Sequence, residues 1–184
     1  MARARAKDPS KGYAIDFVSS VMKLNLRQIA DQKVKILSNA GGVNPQACAE
    51  AIRALIKELN LDLKVAVVLG DDLLEDKDKF LKSGVQEMYS DEKFPVSDKI
   101  ASINAYLGAF PIAQALNDGA DIVITGRSVD SAVTLAACIH TYGWKEDDYD
   151  KLASGSLAGH IIECGTQSTG GNFTDWELSS KNLH

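Results

Sequence analysis

Residues with chemically useful side chains are concentrated in four glycine-containing segments of this 184-residue chain. Three segments, at residues 39–44, 70–72 and 126–130, directly follow strand-like apolar runs, and the fourth is a long polar stretch at residues 159–172. Loops that leave the carboxyl ends of parallel strands share one edge of an open α/β sheet, where ligands bind. We therefore expect the four segments to converge on one polar pocket.

Four residues are candidates for acid–base catalysis: Asp71, Asp72, His160 and Glu163. Asp71 and Asp72 follow a buried strand, where carboxylates could hold a hard cation, move protons or bind hydroxyl groups. Asp72 is also placed to cap a helix. Two acids are too few for a metal site, so no metal-binding set is predicted. His160 and Glu163 have helical (i, i+3) spacing and could act as a base and its orienting partner.

A further ten residues are candidates for substrate binding. Arg127 ends a buried strand and presents a planar fork that suits carboxylate or phosphate. The glycines of residues 39–44 precede a helix, whose free N-terminal amides and dipole attract anions, although neither a dinucleotide nor a Walker A spacing is present. Simple turns and an internal Arg127–Asp130 ion pair are the competing interpretations. The candidates are Asn39, Gly41, Gly42, Asn44, Asn104, Tyr106, Arg127, Asp130, Gln167 and Asn172.

The three cysteines, Cys48, Cys138 and Cys164, lack metal-ligand spacing and form an odd set. We interpret them as reduced thiols. Cys164 could be a nucleophile only if a base lowered its pKa, and a buried, inert cysteine is the competing interpretation.

Hydrophobic periodicity predicts the elements that position these loops. Asn44 followed by Pro45 is typical of a helix start, and Ser128 is expected to cap a later helix. Pro95 leaves residues 94–103 undecided. Strands are expected at residues 34–37, 64–69, 85–89 and 120–125, and helices at residues 13–29, 45–59, 111–116 and 128–140.

This alternation predicts the α/β class, with an open, mainly parallel, Rossmann-like sheet and helices on both faces. The length suits a single core. We expect one domain at residues 1–176, incomplete at both ends, followed by a polar tail at residues 177–184.

Composition and charge exclude several classes of function. The formal net charge of −5 argues against nucleic-acid and anionic-membrane partners. No run approaches the ~18 apolar residues of a membrane span, and no secretory signal is visible. The sequence therefore predicts a soluble, cytoplasmic protein.

Several segments in the same order resemble the N-terminal region of the acyclic terpene utilisation (AtuA-type) family. The likeness covers about residues 2–176. The matching segments are residues 39–45, 70–72, 102–109, 124–130, 155–160 and 163–173.

The resemblance implies a role in the catabolism of acyclic terpenoids such as citronellol and geraniol, through acyl-CoA intermediates. Family members carry a strand and a helix before the position of Ala2, so the first strand of the sheet is expected to be missing. The site residues suggest a small carboxylic acid or its acyl-CoA thioester as ligand, with lyase or hydratase chemistry that needs no redox cofactor. The alternative is a non-catalytic ligand-binding subunit that supports a partner enzyme. Cofactor, metal requirement and homo-oligomer formation stay open.

Overall fold

Three short parallel strands form the sheet around which the chain is organised. The structure is a computed structural model that describes residues 1–169, 175, 177 and 181. The strands are β1 (Ile36–Ser38), β2 (Val65–Val68) and β3 (Ile122–Thr125). β3 lies between β1 and β2 and pairs with both in parallel. The predicted α/β class and the open parallel sheet are confirmed.

Helices account for most of the remaining described chain, and several are joined to short 3₁₀ or π-helical turns. Across the described residues, no helix has the length and apolar character needed to cross a bilayer. The helices are α1 (Ala2–Lys7), α2 (Lys23–Gln32), α3 (Pro45–Glu58), α4 (Lys77–Ser83), α5 (Phe110–Asn117), α6 (Ala132–Tyr142) and α7 (Tyr149–Cys164). The turns are a π-helical turn at Phe17–Met22 and 3₁₀ turns at Leu74–Asp76, Ser97–Lys99 and Gly165–Thr169.

β3 packs helices on both faces of the sheet because its side chains alternate in direction. Ile122 and Ile124 belong to a core cluster with α2 and α3, whereas Val123 belongs to a cluster with α5 and α6. All residues of β3 are buried. The central strand therefore gives the loop that follows it a rigid base.

The start of α3 follows the predicted capping pattern. The Asn44 side chain accepts a hydrogen bond from the Ala47 amide, and Pro45 occupies the first helical position, where no amide is needed. Cys48 and Ile52 are buried on the face that meets the sheet. The predicted helix and its buried stripe are confirmed.

The minor strand predicted at residues 85–89 does not form. The Glu87 carboxylate accepts hydrogen bonds from the amides of Tyr89 and Ser90, which turns the chain. Only an isolated bridge between Gln86 and Lys93 remains. The apolar residues that suggested a strand, such as Val85, are exposed.

Two further boundaries differ from the sequence prediction. α6 begins at Ala132 and not at Ser128, because backbone hydrogen bonds with Leu107 hold the chain around Ser128 extended. Leu107 donates to the Arg127 carbonyl at 3.1 Å and accepts from the Val129 amide at 3.0 Å. The predicted polar loop at residues 159–172 is helical up to residue 164, as the end of α7.

Candidate functional site

The loops that follow the three strands lie side by side at one edge of the sheet. All three strands run in the same direction, so residues 39–44, 69–72 and 126–131 leave from the same edge. The first loop touches the end of β3, since a Cβ added at Gly41 would collide with the Thr125 carbonyl. The second and third loops are joined because the Arg127 backbone amide donates a hydrogen bond to the Asp71 carboxylate.

Asp71 is the buried link between these loops, with 2% of its surface exposed. Its carboxylate Oδ2 accepts hydrogen bonds from the Arg127 backbone amide (2.8 Å) and from the Asn104 side-chain amide (3.0 Å). Gly126 permits this approach, because a Cβ there would collide with the carboxylate. Asp71 is thus placed to hold Arg127 and Asn104 in position.

The Arg127 side chain is oriented by Tyr106. Its guanidinium carbon lies 4.8 Å from the centre of the Tyr106 ring, and Nη2 donates a hydrogen bond to the phenol oxygen. No ion pair joins Arg127 to Asp130 within the described part of the chain, so the competing sequence interpretation was wrong. A guanidinium has five N–H donors, so one bond to a phenol leaves several for a ligand.

A polar cleft of about 490 Å³, here called the Arg127 cleft, lies beside this side chain. Four of the predicted site residues line it, and the rest of its wall includes Ser102 and the start of α1. Another cleft of about 490 Å³ lies at the exposed edge of β2 against α5, but none of the predicted site residues lines it. The predicted residues that line the Arg127 cleft are Gly42, Asn104, Tyr106 and Arg127.

A smaller cleft of about 270 Å³ adjoins the Arg127 cleft and shares Ala2, Val43 and Ser102 with it. Its wall is mainly apolar. Its two charged lining residues, Arg5 and Asp72, form an ion pair with each other at 2.6 Å. The other lining residues are Ala6, Pro9, Leu74 and Ala101.

The loop after β1 is tied to the N-terminal segment. The amides of Gly42, Val43 and Asn44 all donate to backbone carbonyls, at 2.8–3.1 Å. The prediction that amides of this loop are free to bind an anion was therefore wrong for these three. Gly42 adopts a φ of +56°, and a Cβ there would lie 2.8 Å from the Gly12 carbonyl oxygen, so this glycine is needed for packing.

Asn44 is occupied in the same contact. Its Nδ2 donates to the carbonyls of Pro9 (2.8 Å) and Lys11 (2.7 Å), while its Oδ1 accepts from the Ala47 amide. These bonds account for an asparagine at this position without a ligand. Asn39, at the start of the loop, is exposed.

Asp72 pairs with Arg5 of α1, and its Oδ1 accepts the Leu74 amide at 3.1 Å. The second contact forms a local turn, but the 3₁₀ turn at Leu74–Asp76 has Leu73 at its N-cap position and no side-chain cap, so the capping interpretation of Asp72 was wrong. Sequence reasoning missed Arg5, which also donates to the Val43 carbonyl and so binds two loops. No spacing in the sequence connects α1 to these loops, because the contact depends on how the N-terminal segment folds back.

A second group, here called the Asp130 cluster, consists of Asp130, His160 and Cys164. One nitrogen, oxygen or sulfur atom from each lies within 4.8 Å of the others. The Cys164 sulfur is 3.5 Å from His160 Nε2, and its thiol donates to Glu163 Oε2 at 3.4 Å. Desolvation, then the carboxylates of Glu163 and Asp130, raise the pKa of Cys164. A cysteine nucleophile requires a lowered pKa, so this shift argues against that role for Cys164.

The expected single pocket is therefore divided. The β3–α6 loop contributes Arg127 to the cleft and Asp130 to the cluster, whereas His160 and Glu163 are not among the cleft-lining residues. Gln167 is exposed in the turn after α7, and Asn172 lies outside the described residues.

The cysteines form no disulfide, in agreement with the prediction of reduced thiols. Burial raises the pKa of Cys48 to about 11. Cys48 is therefore unreactive and packs as a residue of the hydrophobic core.

Ser128, predicted as a helix cap, is instead a buried residue whose hydroxyl has no hydrogen-bond partner among the described residues. Ser128→Ala is expected to raise the free energy of unfolding by about 1 kcal/mol, because an unsatisfied buried hydroxyl costs about 1–3 kcal/mol. Urea unfolding measures the change. Ser154→Ala is the matched control, since its exposed hydroxyl bonds to the Asp150 carbonyl at 2.8 Å. A Ser128→Ala variant less stable than the wild type would contradict this reasoning.

Comparison with models of known families matches residues 1–184 to the family described as acyclic terpene utilisation family protein AtuA. This match extends beyond the range of residues 2–176 that the resemblance suggested. No curated protein and no solved structure matches the chain. The Rossmann-like description and the domain boundary at residue 176 therefore stay predictions.

Proposed function

The chain belongs to the acyclic terpene utilisation (AtuA) family, and from that premise we propose that its Arg127 cleft binds the anionic head of an acyclic terpenoid acid or of the corresponding acyl-CoA thioester. Membership of the family gives the metabolic context, the utilisation of acyclic terpenes. The ligand, its orientation and the reaction are the parts that we infer from the site.

The observation that carries the proposal is the way Arg127 is held. The Asp71 carboxylate accepts a hydrogen bond from the Arg127 backbone amide. The Tyr106 ring stacks on the Arg127 guanidinium, and the phenol oxygen accepts a hydrogen bond from it. A guanidinium positioned in this way loses little conformational entropy when it binds a carboxylate or phosphate. Asn104, held by Asp71, adds an amide to the same wall.

The adjoining apolar cleft supports a ligand with a hydrocarbon tail. A carboxylate at Arg127 would leave the chain of the acid free to enter the smaller cleft, whose wall includes Ala6, Leu74 and Ala101. Apolar surface removed from water contributes about 25 cal/mol per Å². A terpenoid acid would therefore bind more tightly than a short polar acid.

In the enzymatic version of this proposal, the protein is a lyase or hydratase in which His160 or Glu163 moves a proton while Arg127 holds the anion. His160 lies near Asp130 of the β3–α6 loop, and Glu163 accepts a hydrogen bond from Cys164 of the same cluster. Asp71 and Asp72 are weaker candidates for this role, because Asp71 is buried and Asp72 is paired with Arg5.

A non-catalytic ligand-binding subunit is the second candidate. The observation that favours it is that the acid–base candidates are either engaged in structural contacts or absent from the residues that line the cleft. In that case the cleft would hold an acid or thioester for a partner enzyme.

A chain-length series tests the proposed ligand. Isothermal titration with acetate, short branched acids, citronellate, geranate, their CoA thioesters and free coenzyme A should show tighter binding as the hydrocarbon lengthens. Each buried CH₂ is worth about 0.8 kcal/mol, or roughly a fourfold change in Kd. Equal binding of acetate and citronellate, or no binding of any member, would contradict the proposal. Mass spectrometry of incubated ligands then separates turnover, expected of an enzyme, from binding alone.

A further inference from the structure

The Asp130 cluster brings together three of the side-chain types that bind transition metals. Its carboxylate, imidazole and thiol come from two elements, the β3–α6 loop and the C-terminal half of α7. Asp130 and His160 are exposed and Cys164 is partly buried, so an ion can reach them from solution. The sequence predicted no metal-binding set, because two adjacent acids were too few and the cysteines lacked metal-ligand spacing. Asp130 is remote in the chain from the two other residues, so their spacing did not indicate the cluster.

The distances in the cluster fit a four-coordinate ion. Zinc binds sulfur at about 2.3 Å and imidazole nitrogen at about 2.1 Å, which in a tetrahedron separates the two ligand atoms by roughly 3.6 Å. The observed separation of Cys164 Sγ and His160 Nε2 is 3.5 Å. All three ligand atoms lie within 4.8 Å of one another, so side-chain adjustment is needed to bring the carboxylate to the same ion.

The fold positions both elements that supply the cluster, α7 and the β3–α6 loop. His160 and Cys164 are one helical turn apart on α7, so they project from the same face. Gly159 lets α7 approach the β3–α6 loop, since a Cβ there would lie 2.8 Å from the Ser131 carbonyl oxygen and 3.0 Å from Ser131 Cβ. This close contact holds His160 next to Asp130.

We propose that Asp130, His160 and Cys164 form a binding site for a borderline-soft divalent cation of the zinc type. Three protein ligands leave one coordination position for water or for an oxygen of a ligand, as in zinc sites that act as Lewis acids. When the metal binds, the Cys164 S–H bond breaks, a sulfur–metal bond forms, and the proton leaves to solvent. Glu163 accepts that hydrogen in the metal-free cluster and is the first acceptor on its path.

The ligand types select against the hard cations. Calcium takes six to eight oxygen ligands and magnesium near-octahedral oxygen ligands, whereas this cluster offers one carboxylate with one imidazole and one thiolate. Thiolate and imidazole together favour zinc, and cobalt(II) is a suitable spectroscopic substitute.

Cobalt(II) titration of the full chain, after treatment with a reductant and a chelator, tests the site. The expected result is a thiolate-to-cobalt charge-transfer band in the near ultraviolet together with strong visible bands of four-coordinate cobalt. Both should disappear when zinc is added. Cys164→Ser should remove the charge-transfer band. His160→Ala and Asp130→Asn should each weaken cobalt binding at least about tenfold, because even the loss of a residue that only supports a metal ligand weakens metal binding by that factor.

α6 offers matched controls for the thiol and the imidazole ligands. Cys138→Ser and His140→Ala should leave the cobalt spectrum and affinity unchanged, and circular dichroism checks that each variant is folded. A wild-type spectrum without a thiolate band, or equal losses in Cys138→Ser and Cys164→Ser, would overturn the proposal. Unchanged binding in Asp130→Asn would also overturn it, since that substitution keeps the shape of the side chain. The titration contains no organic ligand, so its outcome does not depend on the proposed function.

Discussion

Arg127→Ala is expected to weaken binding of the acid ligand by about 10- to 100-fold. A hydrogen bond to a charged group contributes about 1.5–3 kcal/mol, and each 1.4 kcal/mol is a tenfold change in Kd. Arg127 is also the only charged side chain among the residues that line its cleft. Isothermal titration with the tightest ligand of the chain-length series measures the change.

Arg127→Lys separates charge from geometry. Lysine keeps the positive charge but loses the planar fork and the stacking on Tyr106, so it should recover only part of the affinity. Arg27→Ala is the matched control, because Arg27 is exposed on α2, which packs on one face of the sheet, and does not line the Arg127 cleft. An Arg127→Ala variant that folds normally and binds the ligand as tightly as the wild type would exclude the anion-binding role.

The sheet and α3 could be predicted from the sequence because their signals are local. Val65 to Val68 and the residues of β3 are compact β-branched runs, and Asn44 with Pro45 marks the start of α3. The convergence of the first three loops followed from parallel strand direction alone. These features required no knowledge of distant contacts.

The site differed from the prediction where contacts between residues distant in the sequence determine the local structure. The Val43 amide is used because the N-terminal segment folds over the loop and presents the Gly12 carbonyl, and no local pattern indicates that contact. The Gly42 and Asn44 amides are used by turns within the loop, with Asn39 and Gly41 as acceptors. Ser128 does not cap a helix because Leu107 holds it in an extended segment. For the Asp130 cluster, the (i, i+4) spacing of His160 and Cys164 was a usable signal, but the third residue comes from another element.

The β3–α6 loop is the element that connects all the proposed chemistry. Its first half holds Arg127 beside the cleft, and its second half holds Asp130 beside α7. Two residues lie between these positions, and three steps along the chain place their Cα atoms at most about 11 Å apart. Both proposed sites are therefore built on one short loop.

Asp71→Ala is expected to lower the free energy of unfolding by about 2–4 kcal/mol, since it leaves two hydrogen-bond donors without their acceptor and each such loss costs about 1–3 kcal/mol. The Arg127 amide and the Asn104 side chain would both lose their acceptor, the carboxylate of Asp71, which is 2% exposed. Urea unfolding followed by circular dichroism measures the loss.

Asp71→Asn tests whether the hydrogen bonds or the charge carry this stability. The amide oxygen can replace Oδ2 as the acceptor of both bonds, so the loss should be less than half of that caused by Asp71→Ala. Asp31→Ala, at an exposed position of α2, should change stability by no more than about 0.5 kcal/mol. If Asp71→Ala were as stable as the Asp31→Ala control, Asp71 would not hold the two loops together, and Arg127 would need another support for its position in the cleft.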